Sequence, residues 1–257
     1  MQPRLIKEAT GILKSNLGES LDGEGRSFFV KRGMGRRLVL TDIHGSFQTF
    51  VKLLRKLKLT KDDQLFILGD MINRAPYSIY VIEKIAELLV DGYSVFPLRG
   101  NHEQLFLKFA ITDQTKLQAL ADRQYSAHLL KDGVLPKSIY KFFNALPYFY
   151  ELEDHYLVHA GFNIDERDLF DSWKDMLWIR SMRYDKKKLN GKKVVHGHVP
   201  TTLTVIEKAL ANEKPEIKLD NGCIRAGVFD FGKLVCLDLD SSKLTTKRNI
   251  DFVPANL

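Results

Sequence analysis

Five short segments limit this chain more than any other feature: TDIHG (Thr41–Gly45), LGDMINR (Leu68–Arg74), RGNHE (Arg99–Glu103), VHAG (Val158–Gly161) and VVHGH (Val194–His198). Most follow a short apolar run, and each sets a metal-binding residue type beside glycine or a turn. A strand that ends in Asp, Asn or His next to glycine holds a polar ligand at the lip of a sheet, and the backbone can turn sharply away from whatever is bound there. Five such segments in order predict a metal site assembled from loops along the whole chain.

The sequence between them alternates. RLVLTD runs into Asp42, and Ser46 is placed to cap a helix through Leu57 with Phe50, Val51, Leu54 and Leu57 on its apolar face. QLFILGD precedes a helical pattern from Ser78 to Asp91, and YSVFPLRGNHE precedes another through Phe109. Strands alternating with helices of this length imply parallel βαβ units with ligands at the carboxyl ends of the strands. Residues 110–148 are helical in pattern and read as a cap over one edge of the site. A hairpin is predicted around Glu153–Asp154, its second strand ending in His159, and a further strand ends in His198. Thr202–Ile206, Glu216–Leu219 and Leu234–Leu239 read as short strands closing a second, mixed sheet. The expected fold class is α/β in four layers, with one domain over 37–257. Residues 1–36 form an accessory segment: an amphipathic helix using Leu5, Ile6, Ala9, Ile12, Leu13 and Leu17, a Gly-rich charged loop, and a short strand at Phe28–Lys31.

Composition narrows the function classes. With 257 residues, 44% of them hydrophobic, the chain can bury a sizeable core. No stretch approaches the roughly 20 apolar residues of a membrane helix, and the first twenty lack a secretory apolar region, so a cytoplasmic, membrane-free protein is expected. Cys223 and Cys236 form no CxxC pair and read as reduced, buried thiols. A net charge of +7 favours acidic partners such as phosphorylated substrates. Aromatics interleaved with basic residues are not evident, which argues against nucleic acid as the main partner.

The chemistry of the motifs is specific. Asp42 and His44, two residues apart, can present an oxygen and an imidazole nitrogen to one cation; Asp70 and Asn101 add oxygens, His159 and His198 add nitrogens. Mixed O/N donors without thiolate suit Mn²⁺ first, with Fe or Zn²⁺ also compatible. Six ligands exceed what a single catalytic ion uses and fit two divalent ions about 3.5–4 Å apart, with Asp70 as the bridge. Such a pair would lower the pKa of a shared water and clamp an in-line displacement at phosphorus. Arg74 and Arg180 offer planar guanidiniums to phosphate oxygens, and His102 is placed to protonate the leaving oxygen. His128 and His155 are read as structural.

Over roughly Arg37 to Leu239 these motifs resemble the phosphoprotein phosphatase family of calcineurin-like metallophosphoesterases, especially its small bacterial serine/threonine phosphatases. The resemblance implies two packed mixed sheets flanked by helices. One metal would be held by Asp42, His44 and Asp70, the other by Asp70, Asn101, His159 and His198. Arg74, Arg180 and His102 match the phosphate-binding arginines and the catalytic histidine; His196 is read as supporting or structural. Two departures stand out: Asn73 replaces the family Asp that orients the histidine, and Ala75 replaces a glycine, so that this turn must avoid positive φ or accept strain. The expected activity is phosphomonoester hydrolysis, on phosphoserine or phosphothreonine in proteins or on small phosphate esters. The alternative is symmetrical dinucleoside tetraphosphate hydrolysis, which Pro76–Ser78 favours and Glu103 disfavours. From another class, a catalytically weak phospho-ligand binding protein is the reading that Asn73 keeps open.

Overall fold

The computed structural model describes residues 2–17, 20–21 and 26–251. The Gly-rich connection after Leu17 lies partly outside the described residues, at 18–19 and 22–25, as does the end of the domain at 252–257.

Two five-stranded mixed sheets face each other. The first contains β2 (Arg37–Leu40), β3 (Gln64–Ile67), β4 (Ser94–Pro97), β9 (Lys233–Asp238) and β10 (Lys243–Arg248), in the order β10-β9-β2-β3-β4. The second contains β1 (Ser27–Phe29), β5 (Phe149–Glu151), β6 (His155–Val158), β7 (Lys193–His196) and β8 (Glu216–Lys218), in the order β1-β5-β6-β7-β8. The main core lies between them. Phe66, Phe96 and Tyr150 meet there, with ring centroids 5.0–5.9 Å apart, and the Tyr150 hydroxyl donates to the Pro97 carbonyl at 3.1 Å. The period-2 alternation of β5 and β6 turns Phe149, Tyr156 and Val158 the other way, into a second cluster with Phe162, Met176 and Leu177.

Helix α2 (Phe47–Leu57) packs on β9 and β10, and α3 (Ser78–Val90) on β4. Helix α1 (Pro3–Leu17) buries Ile6, Ala9, Leu13 and Leu17, one face of the 3.6 period, and packs against α3 and α6 (Lys137–Ala145). Helices α4 (Asn101–Thr112) and α5 (Gln114–Arg123) lie between α3 and α6 in sequence. Buried Arg37 fastens two loops, donating to Asp154 in the β5–β6 turn and to Asp240 in the β9–β10 turn.

The C-terminal third differs from the expectation. Thr202–Ile206 is not a strand: Thr202 caps α7 (Leu203–Ala211) by accepting from the Val205 amide. The remaining strands divide between the sheets, β8 joining one and β9–β10 the other.

Candidate metal centre

Each sheet contains three adjacent parallel strands, β2-β3-β4 and β6-β7-β8, and all six deliver the chain to one rim. Asp42 and His44 follow β2, Asp70 follows β3, and Asn101 and His102 follow β4. His159 follows β6, and His198 lies two residues beyond β7, which itself ends at His196. Backbone bonds lock these turns together: His44 N–H donates to Asp70 O at 2.9 Å, and Gly197 N–H to His159 O at 2.8 Å. Asp42, His44, Asp70 and His198 are left-handed, with φ of +47°, +48°, +49° and +67°. Asp, Asn and His tolerate that region better than most residues, and the cost is held at the site by the surrounding hydrogen bonds.

Two donor groups form, and Asp70 belongs to both: His44, Asp70 and His102 in one, Asp70, His159 and His198 in the other. Asp70 Oδ2 lies 3.7 Å from His44 Nε2, 3.8 Å from His102 Nε2 and 3.6 Å from His159 Nε2. His44 Nε2 is 3.9 Å from Asp42 Oδ1, and His159 Nε2 is 2.9 Å from Asn101 Oδ1. Donors sharing an ion with ~2.1 Å bonds at right angles lie about 3 Å apart, so the last pair matches two ligands of one ion.

The donor chemistry fits cations as well. Asp42 and Asp70 are almost wholly buried. Burial, then the charges of Asp220 and Asp70, pushes the Asp42 carboxyl well above its usual range; burial, then Glu103, does the same to Asp70. The histidines are kept neutral, as metal ligands must be: burial, then Arg74, takes His44 down to about 3, and burial, then Arg180, takes His198 down to about 4. His44 Nδ1 lies 3.1 Å from the Ile72 carbonyl and His159 Nδ1 2.8 Å from the Leu68 carbonyl. Each ring thereby turns its Nε2 lone pair toward the cluster.

Glycine makes the packing feasible. A Cβ on Gly100 would sit 2.2 Å from Asp70 Oδ1, and one on Gly197 2.1 Å from Asp42 Oδ2. Glu103, completely buried, accepts from the amides of Gly100, Asp70, Met71 and Ile72, bracing one ligand loop against the other.

Above the donors opens a cavity of about 1010 Å³ lined by His44, Asp70, Asn101, His102 and His198, with Arg74 and Arg180 on its walls. Asp42 and His159 are buried and do not line it. The Arg74 Nε is buried with no hydrogen-bond partner. Asn73 Nδ2 lies 2.7 Å from His102 Nδ1, while its Oδ1 is buried without a partner. As a donor the amide fixes the ring proton on Nε2, facing the cavity. Turned over, it would accept from Nδ1–H. In neither arrangement does Asn73 carry charge to hold an imidazolium, and burial, then the neighbouring His44 and Arg74, sets His102 well below its usual pKa. Ala75 escapes positive φ; the left-handed residues of that turn are Asn73 and Arg74, at +74° and +69°.

His196 is outside the cavity, paired with Glu216 at 3.1 Å, and His155 is beside Asp154; His128 accepts from the Ile79 amide. Cys223 and Cys236 are free and buried. Three charged cavity residues were missed from sequence, Asp220, Arg225 and Asp251. Asp220 follows β8 in the run KLDNG, the same strand-end carboxylate near glycine, but behind too short an apolar run to stand out.

The calcineurin-like phosphoesterase family description matches residues 35–243. The chain belongs to this family. It is a metallophosphoesterase and a hydrolase. It is 23% identical over 236 residues to an asymmetrical bis(5'-nucleosyl)-tetraphosphatase of Geobacillus sp. (strain WCH70), covering 79% of this chain and 94% of that one. It is 22% identical over 157 residues to serine/threonine-protein phosphatase 1 of Salmonella typhimurium, covering 60% and 70%. Among solved structures, a serine/threonine phosphatase from Saccharomyces cerevisiae shares the fold with a TM-score of 0.64 at 14% identity, over 98% of this chain and 90% of that one. No helix among the described residues of this metallophosphoesterase is long and apolar enough to cross a membrane.

Proposed function

We propose that the chain is a bimetal phosphoester hydrolase. Asp42, His44 and Asp70 would hold one ion; Asp70, Asn101, His159 and His198 would hold the other. The observation that carries this reading is the membership of Asp70 in both donor groups; the first of them closes on His102, and Asp42 joins it through Oδ1, 3.9 Å from His44 Nε2. Mn²⁺ suits the O/N donor set, with Fe or Zn²⁺ as alternatives. When bound, the metals supply Lewis acidity and an activated water for in-line attack on phosphorus.

The protein's own residues do the rest. Arg74, its Nε unpaired, and Arg180, exposed in the same cavity, take the non-bridging phosphate oxygens and the charge that builds on them. His102 presents Nε2 to the leaving oxygen, and Asn73 fixes the ring without charging it. A poor leaving group therefore gets less help from this protein than an Asp–His pair would give.

Two substrate classes fit. Phosphoserine or phosphothreonine in proteins follows from the motif set, and a dinucleoside tetraphosphate is supported by the volume of the cavity, about 1010 Å³. Glu103 no longer discriminates, because it braces backbone and does not reach the cavity. Mn²⁺-loaded protein should hydrolyse p-nitrophenyl phosphate, and Asp70→Asn should abolish it. Absence of turnover with any divalent metal would leave a phospho-ligand binding protein instead. The parallel rates on a phosphopeptide and on diadenosine tetraphosphate decide the class.

A further inference from the structure

The cavity is larger than one phosphoryl group requires. At about 1010 Å³ it reaches the upper end of pockets that enclose whole small-molecule ligands, roughly 300–1,000 Å³. Past the donors its wall continues through Trp178 and Pro200 on to Ile224, Arg225 and Val228.

Arg225 is a third guanidinium in the same space. Its aliphatic stem lies over Gly222, where a Cβ would come within 3.0 Å of Arg225 Cδ. Gly222 has φ +59°, and the Arg225 amide closes the turn by donating to the Gly222 carbonyl at 2.8 Å. The guanidinium sits 5.4 Å from the Phe231 ring centroid. It is thus held by a glycine and an aromatic face, not by a carboxylate: no ion pair involves it among the described residues. Arg225, Arg74 and the buried carboxylate of Asp220 all line this one cavity.

A planar cation prepositioned in the same cavity as Arg74 and Arg180 selects for a second anionic group on the substrate. A serine or threonine side chain carries none there, whereas the next phosphate of a phosphoric anhydride does. Trp178, about one-third exposed, and Val228, half exposed, offer apolar surface at the cavity mouth for a nucleobase.

We infer that Arg225 binds the phosphate adjoining the reacting one, making this a site for nucleoside polyphosphates. The inference rests on the phosphoester-hydrolase reading given above and names its substrate class.

The test compares AMP with α,β-methylene-ADP, which differ by one phosphate, on Mn²⁺-loaded protein by tryptophan fluorescence. Wild type should bind the two-phosphate ligand about 10-fold more tightly, Arg225→Ala should erase that preference, and Arg225→Lys should restore part of it. In turnover, Arg225→Ala should raise KM for diadenosine tetraphosphate by about 10-fold more than KM for p-nitrophenyl phosphate. Equal losses on both substrates, an undiminished preference for α,β-methylene-ADP, or a loss confined to an acidic phosphopeptide would each overturn the inference. The two readings fail separately. Protein that prefers α,β-methylene-ADP through Arg225 yet hydrolyses no ester refutes the reaction and upholds the subsite; protein that hydrolyses esters with Arg225 indifferent does the reverse.

Discussion

Glu103→Gln removes one negative charge from the floor of the site while keeping side-chain shape. Oε2 accepts from Gly100 at 2.9 Å and Asp70 at 3.0 Å; Oε1 accepts from Met71 at 2.9 Å and Ile72 at 3.3 Å. Glutamine keeps one oxygen, so two of the four amides must face an NH₂ group. The cheaper orientation gives up the Met71–Ile72 pair, one of whose bonds is already long. Two buried donors left without acceptors cost about 1–3 kcal/mol each. Part is returned because the carboxylate itself is uncomfortable: burial pushes its pKa up. The expected net loss is about 2–4 kcal/mol, which in a chain of this size lowers Tm by roughly 5–15 °C. The two amides released belong to Met71 and Ile72, which directly follow Asp70, so Mn²⁺ affinity should fall with stability. Urea unfolding and calorimetry measure the first, metal titration the second. Glu103→Asp, which keeps the charge but is one methylene shorter, should also lose stability, because reach is what braces the loops. A Glu103→Gln protein within ~0.5 kcal/mol of wild type and with unaltered metal affinity would refute the bracing argument.

Three other outcomes follow from the same geometry. Gly197→Ala drives a Cβ to 2.1 Å from Asp42 Oδ2 and 2.8 Å from Thr41 Cβ, so the folded variant should lose bound Mn²⁺ by elemental analysis and at least ~100-fold in kcat/KM. Asn73→Asp should raise kcat/KM on an alkyl phosphate by about 10-fold, and far less on p-nitrophenyl phosphate, whose leaving oxygen needs no proton; equal effects on both would remove His102 as the donor. Asp63 is buried, and although burial raises its pKa, Arg36 and Thr60 hold it well below the carboxylate range. A depressed folded pKa gives stability that is present above the unfolded value and lost as pH falls through the folded one. Asp63→Asn should therefore cost ~2 kcal/mol at pH 7 by urea unfolding, and the gap should begin to narrow below about pH 4 and go on closing as pH falls further.

What the sequence made legible was local. The apolar runs ending in Asp42, Asp70 and Asn101 read as strands because each carries a glycine within three residues of its ligand and is followed by a helix of 3.6 period, and β2, β3 and β4 lie side by side as parallel neighbours. The meeting of Asp42 with His198 across 156 positions was legible only as donor chemistry, since no local pattern brings their loops together. The less visible parts were those where short elements depend on tertiary contacts. Thr202–Ile206 has strand-like residues, yet Thr202 finds an amide to cap and the chain turns helical. β10, with half-buried threonines and charged ends, carries little apolar signal and exists through its ladder with β9. Asp220 and Arg225 escaped notice for a similar reason: their loop follows a three-residue strand, and it reaches the cavity only because β8 is the sixth parallel strand ending at that rim.

The central claim is that Asp70 is shared by two ions. Mn²⁺ titration of metal-stripped protein by calorimetry, with the filled sample read by electron paramagnetic resonance, tests it most directly. The account predicts two ions per chain with the spectrum of a coupled pair, and one or none, uncoupled, for Asp70→Asn. Wild-type protein saturating at a single isolated ion, or an Asp70→Asn variant that still holds a coupled pair, would contradict it.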